Sequence, residues 1–315
     1  MKKSITDLKI LLPIDGSEHS ARAVRFCGYF GAALGKRLKG VSLLRVITGR
    51  YMRDRIPFFD FRAEILKQSE TFKRHKQRYV ETEIMPSLEK AERILGELGI
   101  PKTEKLVADG DPAKEIVRIA DDRNFSTIIM AKRGLSEIAG IFLGSVTNKV
   151  VHSLRRQTVY VVGQRLHADQ RCPIPRILIP VDGSSYSMKG VKHGVFLAQE
   201  LKDFIAKITL LRVVNLAFYE TRLLQGIDLA EETEKILQDA KREFLKGGLT
   251  EKIVSTKIRV GEPSEEILKE AEEAYDLIII GRKGRTALKD FVLGGVSTTV
   301  MQRCQNPTLA IVSSE

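Results

Sequence analysis

The sequence predicts an α/β fold made of two tandem doubly wound units, each with a five-stranded parallel sheet flanked by helices. One series of landmarks occurs twice, in the same order, along the 315 residues. Short runs rich in Ile, Leu and Val alternate with segments of helical period, as expected for a parallel sheet with helical crossovers. Those runs are continuously apolar, which is typical of strands buried on both faces. Such units bind ligands beyond the carboxyl ends of their strands.

The internal repeat divides the chain into two halves. KILLPIDGS is matched by RILIPVDGS, GDPAKEI by GEPSEEI, and RGLSEIAGIFLGSVTNKVV by KGRTALKDFVLGGVSTTVM. This pattern predicts a first domain over 1–163, a linker over 164–175 and a second domain over 176–315. The first half is about 17 residues longer, and we place the insertion at about 48–80.

The elements of the first half follow from the same periodicities. Apolar runs predict strands over 8–14, 40–47, 104–108, 126–131 and 158–162. Segments with apolar residues at helical spacing predict helices over 17–35, about 62–97, 112–122 and 143–154. The join at Gly163–Pro175 contains glycine, two prolines and mixed polar residues, so an exposed linker is expected there.

Composition excludes several classes of protein. The chain is 43% hydrophobic and 29% charged, with no biased tract, which excludes fibrous and disordered classes. Three cysteines, Cys27, Cys172 and Cys304, show no CxxC spacing, so neither a disulfide framework nor a cysteine zinc site is expected. There is no apolar stretch of signal-peptide or membrane-spanning type. A soluble cytoplasmic protein is the expectation.

The insertion carries much of the basic charge. The net charge is +12, and the stretch from Arg50 to Val80 has nine Lys or Arg against four Asp or Glu. It begins with the apolar cluster Ile56–Phe61, which we expect to pack on the sheet edge or on a neighbouring subunit, with the basic run as a solvated face. No alternation of aromatic and basic residues accompanies it, so we expect neither nucleic acid nor membrane as a partner.

The first strand of each half ends in a carboxylate. Asp15 follows Pro13 and Ile14, and Asp182 follows Pro180 and Val181. At this position a carboxylate can accept hydrogen bonds from a ribose or an adenine amino group. The other interpretation is turn chemistry, in which the Asp or the following Ser caps the next helix. The residue types alone leave both open.

The fourth strand of each half runs into a glycine-containing loop and then a helix. The strands end at Met130-Ala131-Lys132-Arg133-Gly134 and Ile280-Gly281-Arg282-Lys283-Gly284. The helices open at Gly144-Ser145-Val146-Thr147 and Gly294-Gly295-Val296-Ser297. Glycines allow close backbone approach, and helix N-termini offer N–H groups to phosphates. We expect further phosphate donors in the hydroxyls of these helix starts and positive charge from the Lys and Arg residues.

These residues resemble the universal stress protein domain, whose nucleotide motif is G-x2-G-x9-G-S/T behind a first strand ending in Asp. The resemblance covers essentially the whole chain as a tandem pair. It implies a sheet of order 3-2-1-4-5 in each unit and a site for AMP or ATP. It places the adenosine at the first and second strands, the ribose at the first two glycine positions and the phosphates at the helix start. The implied nucleotide-binding residues are Pro13, Asp15, Val46, Met130, Ala131, Gly134, Gly144, Ser145, Val146 and Thr147, and Pro180, Asp182, Val213, Ile280, Gly281, Gly284, Gly294, Gly295, Val296 and Ser297.

Both halves depart from the motif. Ala131 stands where the family has its first glycine, and Gly295 stands where Ser or Thr is expected. The first change adds a methyl group and the second loses a hydroxyl, worth about 0.5–1.5 kcal/mol, or up to ~3 kcal/mol with a charged partner. Either half, or both, can therefore retain a site.

The resemblance implies an ATP-binding sensor or regulator of the stress response with little turnover, binding ATP or else AMP or ADP, and Mg²⁺ together with ATP. A slow ATPase or nucleotidyl-transferring enzyme and a nucleotide-free scaffold are the alternatives. The five histidines are scattered, so no metal site is expected, and no nucleophile is paired with a base. The last strands of the halves are expected to pair as an internal pseudo-dimer, and a homodimer is expected in addition.

Overall fold

The computed structural model describes residues 8–48, 70–133, 143–154, 156–166, 171–215, 229–283 and 293–313. In the first unit the strands are β1 (Leu8–Pro13), β2 (Leu38–Ile47), β3 (Thr103–Asp109), β4 (Thr127–Ala131) and β5 (Thr158–Val162). Its helices are α1 (Glu18–Leu34), α2 (Glu70–Tyr79), α3 (Met85–Glu97), α4 (Pro112–Asp122) and α5 (Ser145–Ser153).

The second unit repeats this order. Its strands are β6 (Arg176–Pro180), β7 (Lys207–Val214), β8 (Val254–Val260), β9 (Leu277–Gly281) and β10 (Thr308–Val312). Its helices are α6 (Ser185–Glu200), α7 (Leu229–Lys246), α8 (Pro263–Ala274) and α9 (Gly295–Arg303). The chain is thus an α/β protein of two similar units, as the repeat predicts.

The strands form a ten-stranded sheet of order β3-β2-β1-β4-β5-β10-β9-β6-β7-β8. Each unit has the predicted order 3-2-1-4-5, and all pairs within a unit are parallel. The units meet where β5 and β10 pair antiparallel, with Ala310 opposite Tyr160. The internal pseudo-dimer expected from the sequence is therefore one continuous sheet.

Two apolar layers cover the two faces of this sheet, and both layers run through the two units. One layer holds α1, α3, α6 and α7, with Phe26, Leu88 and Phe244 among its buried residues. The other holds α4, α5, α8 and α9, with Val150 and Val300 buried. Helices on both faces of a parallel sheet leave the carboxyl ends of the strands as the place for a ligand.

The helices predicted from periodicity are confirmed where the structure describes them, with one local difference. The helix expected over about 62–97 is present from Glu70 but contains a π-helical turn at Val80–Ile84. Pro86 lies at the start of α3 and has no N–H for the usual helical bond, so a wider turn ahead of it is physically reasonable. Lys73 and Arg74 on α2 are exposed, as expected for a solvated basic face.

The rest of the insertion, including the cluster Ile56–Phe61, lies outside the described residues.

The prediction of an exposed linker at Gly163–Pro175 is wrong for part of that segment. Cys172 and Ile174 are buried in the apolar layer of α1 and α6. The Gln164 and Arg165 N–H groups donate to the Gln305 and Asn306 carbonyls, at 2.9 Å each. Packing of the two units buries these side chains, and the composition of the segment alone does not predict that burial. In the part of the chain that the structure describes, no helix has the length and apolarity needed to cross a membrane.

Candidate nucleotide site

The two central strands of the first unit separate at their carboxyl ends. β1 pairs with β2 along its whole length, up to Pro13 opposite Leu44. Against β4 it pairs only at Ile10–Thr127 and Leu11–Ile128. β1 and β4 therefore diverge beyond these positions. This place is the switch point of the unit, where the strand order reverses and where a doubly wound sheet has its ligand-binding crevice.

The second unit diverges in the same way. β6 pairs with β9 only at Ile177–Leu277 and Leu178–Ile278, whereas it pairs with β7 up to Pro180. Both switch points thus lie beside the residues that the sequence identified as candidates, Pro13 and Pro180 among them.

Asp15 is engaged in the turn that starts α1. Gly16 has φ +84°, a conformation that favours glycine. The Asp15 Oδ1 accepts the Ser17 N–H at 3.0 Å and the Ser17 hydroxyl at 2.6 Å. Ser17 in turn caps α1 by accepting the Ser20 N–H at 3.1 Å. Of the two interpretations left open by the sequence, the capping one is therefore present in this structure.

Asp182 makes the equivalent turn. Gly183 has φ +80°, and the Asp182 Oδ1 accepts the Ser184 N–H at 2.9 Å. Ser184 caps α6 through the Ser187 N–H at 3.1 Å. The repeated geometry holds each carboxylate at a fixed place on the rim of its crevice.

Val46 and Val213 lie beside these turns on the neighbouring strands. The Leu44 carbonyl accepts the Ile14 N–H at 2.9 Å, and the Leu211 carbonyl accepts the Val181 N–H at 2.8 Å. Each valine is two residues further along its strand, so it is level with the aspartate of the same unit. Val46 is half-buried and Val213 is buried, so the first unit leaves more of this apolar wall accessible.

The helix starts at Gly144 and Gly294 close directly onto the ends of β4 and β9. The Gly144 N–H donates to the Lys132 carbonyl at 2.8 Å, and the Gly294 N–H donates to the Arg282 carbonyl at 2.9 Å. Neither α5 nor α9 has a side-chain cap, in contrast to α1 and α6 with their serine caps. An uncapped helix start presents N–H groups and the positive end of the helix dipole, and both suit a phosphate.

The hydroxyls at these helix starts divide into two kinds. Thr147 and Ser297 are buried, and their hydroxyls donate to the Ala131 and Gly281 carbonyls, at 2.9 Å each. Their side chains thus fix the helix to the strand end, while their backbone N–H groups remain part of the helix start. Ser145 is exposed, and Gly295 at the matching position brings no hydroxyl.

In the second unit, the first glycine of the motif, Gly281, is required for steric reasons. A Cβ at Gly281 would lie 2.5 Å from the Tyr186 carbonyl oxygen, because the first turn of α6 packs on the end of β9. Ala131 occupies the equivalent position of the first unit, so α1 leaves room there for a methyl group. Gly134 and Gly284 lie outside the described residues.

Two of the four basic residues at the strand ends, Lys132 and Arg282, hold contacts across the joint between the units. Lys132 donates to the Cys304 carbonyl, and Arg282 donates to carbonyls of Val151, His152 and Leu154. These partners belong to the other unit in each case. Burial lowers the pKa of Lys132 to about 8, and burial together with Arg282 lowers the pKa of His152. A single half gives no sequence signal for such contacts, because they depend on how the two halves pair.

In class, then, the protein is a tandem pair of doubly wound α/β units, each with an uncapped helix start and a strand-end carboxylate on the two strands that diverge at its switch point. A model of the universal stress protein family matches residues 8–162 and again residues 173–311. The chain belongs to this family and carries two copies of its domain.

Individual relatives agree with this assignment. The universal stress protein YxiE of Bacillus subtilis is 31% identical over 150 residues, covering 43% of this chain and 97% of its own. A universal stress protein of Mycolicibacterium smegmatis is 24% identical over 319 residues and covers 99% of both chains. The crystal structure of a universal stress protein from Archaeoglobus fulgidus matches with a TM-score of 0.68 at 20% identity, covering 97% of this chain and 98% of that one. This last likeness concerns the fold.

Proposed function

We propose that this chain binds adenine nucleotide, ATP or else AMP or ADP, and acts as a sensor or regulator of the stress response with little turnover. The observation that carries the proposal is the pair of uncapped helix starts at Gly144 and Gly294, each at the switch point of its unit. Phosphates would accept the N–H groups there, with Ser145 adding a hydroxyl in the first unit. Adenosine would lie toward Asp15 and Val46, or toward Asp182 and Val213.

Mg²⁺ would enter with the ATP phosphates. Among the described residues no group of three or more His, Cys, Asp or Glu side chains could hold a metal ion by itself. We further propose a cytoplasmic protein, in line with three cysteines that are all free and buried. A homodimer belongs to the proposal too, and it would need a surface other than β5 and β10, which pair with each other inside the chain.

The first measurement is the nucleotide carried by freshly purified protein. The chain is denatured, and released nucleotide is identified by chromatography and expressed as moles per mole of chain. Isothermal titration with ATP then gives affinity and stoichiometry. Two ATP per chain would mean that both altered motifs bind, and one would mean that a single half does. No release and no uptake would contradict the proposal and favour the scaffold, whereas steady release of ADP or pyrophosphate would favour the enzyme.

Two substitutions identify the half that binds. Gly144 and Gly294 have φ of −67° and −66° at helix N-cap positions, where aspartate is a favoured residue. We therefore expect Gly144→Asp and Gly294→Asp to keep the fold, while the new carboxylate accepts hydrogen bonds from the N–H groups of its helix start and repels phosphate. We expect each variant to weaken ATP binding in its own half at least about tenfold, or about 1.4 kcal/mol. Gly96→Asp, in open space on α3, is the matched control and should bind as the unmodified chain does.

A further inference from the structure

Lys132 links its own helix start to the far end of the other unit's helix. Its carbonyl accepts the N–H of Gly144, the N-cap residue of α5, at 2.8 Å. Its ammonium group crosses the joint between the units and donates to the carbonyl of Cys304, where α9 ends. A cation at the C-terminal carbonyls of a helix is stabilising, because these groups form the negative end of the helix dipole.

Arg282 is the equivalent residue of the second unit and makes the reciprocal connection. Its carbonyl accepts the Gly294 N–H at 2.9 Å at the start of α9. Its guanidinium donates to the Val151 carbonyl at 3.0 Å, to the His152 carbonyl at 2.6 Å and to the Leu154 carbonyl. These groups form the end of α5. Arg282 is only 4% exposed, so these contacts are shielded from water and salt.

The contacts close a ring. Starting at Gly144, the ring follows α5 to its end, passes through the Arg282 side chain and carbonyl to Gly294, follows α9, and returns through the Cys304 carbonyl and Lys132. Each helix has nine residues and spans about 14 Å as a rigid rod. Each is thus held at its start and at its end by residues of the strand ends of the two units.

We propose that Lys132 and Arg282 are positioning residues that couple the two helix starts, so that nucleotide in one half raises the affinity of the other half. The inference rests on the proposed function, since it concerns the same two sites. A phosphate at one helix start fixes that N-cap and the strand-end residue bonded to it, and therefore also the end of the opposite helix. The second phosphate then binds to helix starts that are already ordered. Because the first ligand has already offset the loss of conformational entropy, the second binds more tightly, which is positive cooperativity. Coupling acts equally in both directions.

Binding has to be followed separately in each half, because two unequal independent sites can imitate cooperativity in a single isotherm. Nuclear magnetic resonance of the ¹⁵N-labelled chain provides this, with the Gly144 and Gly294 amides as reporters during titration with ATP. In the unmodified chain we expect each reporter to follow a curve steeper than a simple hyperbola, with about a fivefold gain in affinity for the second ATP. If only one half binds, the reporter of the other half should still shift.

Arg282→Met and Lys132→Met remove the crossing contacts and keep apolar stems for the buried space. We expect hyperbolic, independent curves in Arg282→Met and a smaller loss of coupling in Lys132→Met, which removes a single contact. Arg282→Lys retains part of the contact and should be intermediate. Arg303→Met is the matched control, because Arg303 lies on α9 but pairs with Glu265 of its own unit. Circular dichroism confirms that each variant is folded.

The outcomes separate the two proposals. No ATP binding in the unmodified chain would overturn the proposed function and the coupling with it. ATP binding with hyperbolic curves, unchanged in Arg282→Met, would overturn the coupling and leave the proposed function standing. Coupling that survives in Arg282→Met but is lost in Arg303→Met would also overturn the role assigned to Arg282.

Discussion

A buried polar pair joins the two units at the level of single residues. The Tyr160 hydroxyl on β5 lies 2.7 Å from the His193 Nε2 on α6, and both side chains are fully buried. Phe30 and Phe196 pack beside them with tilted rings, whose centroids lie 5.1 Å from that of Tyr160 and 6.2 Å from that of His193. Phe26 occupies the position in α1 that His193 occupies in α6, so the first unit has an apolar ring where the second unit has the polar partner of Tyr160. This asymmetry favours pairing of a first unit with a second unit over pairing of two identical units.

His193 predicts a pH dependence of stability. Burial lowers the pKa of His193 to about 4, whereas an unfolded histidine titrates near 6.5. Between these values the unfolded chain binds a proton that the folded chain excludes, so the free energy of unfolding falls as the pH decreases from about 6.5 to 4. Over this pH interval the free energy of unfolding is expected to fall by about 3 kcal/mol. Denaturant unfolding at several pH values measures it.

The control for this prediction is Tyr160→Phe/His193→Phe. It removes both partners, so no buried polar group is left without a bond, and its stability at pH 7 should lie close to that of the unmodified chain. Its free energy of unfolding should fall less steeply than that of the unmodified chain between pH 6.5 and 4. Equal slopes in the two proteins would contradict the assignment to His193.

At the scale of elements, the contact between α6 and β9 differs from the contact between α1 and β4. A Cβ at Gly281 would lie 2.5 Å from the Tyr186 carbonyl oxygen and 2.9 Å from the Ser187 N. Both are backbone atoms, so Gly281→Ala must displace the first turn of α6, and overpacking of this kind typically costs about 1–3 kcal/mol. Ala131→Gly, the matched change in the first unit, should cost no more than about 1 kcal/mol. Urea unfolding of the two variants tests the difference, and equal losses would refute it.

The sequence predicts the elements well because their signals are local. Apolar runs predict the strands. Ser17 and Ser184, two residues after the strand-end aspartates, predict the helix caps that the structure contains. The strand-end positions of the candidate site follow from the repeat and from the rule for doubly wound sheets. The partners of Lys132 and Arg282 cannot be predicted in this way, because they lie in the other unit, 172 residues away for the Cys304 carbonyl and 128 residues away for the Leu154 carbonyl. The burial of Cys172 also depends on contacts distant in the chain, so composition alone does not predict it.

At the scale of the whole molecule, the joint between the units holds the sheet together. Three residue pairs connect β5 and β10, and the ring through Lys132 and Arg282 adds contacts on one face. Arg37 of the first unit also pairs with Glu200 of the second at 2.9 Å. The outer strands of the sheet are β3 and β8, so the last strand of each unit is shielded from other chains.

These contacts predict that the halves remain associated after the connection between them is cut. Leu166 and Arg171 flank the four residues 167–170, which can be replaced by a protease recognition sequence. After cleavage, Gln164 and Arg165 stay with the first half and keep their bonds to the Gln305 and Asn306 carbonyls, while Cys172 stays buried with the second. We expect the cut protein to elute from gel filtration at the volume of the uncut chain, because each half alone would expose Tyr160 or His193 together with an unpaired strand edge. Elution as two smaller species would show that the covalent connection, and not the joint, holds the two units together.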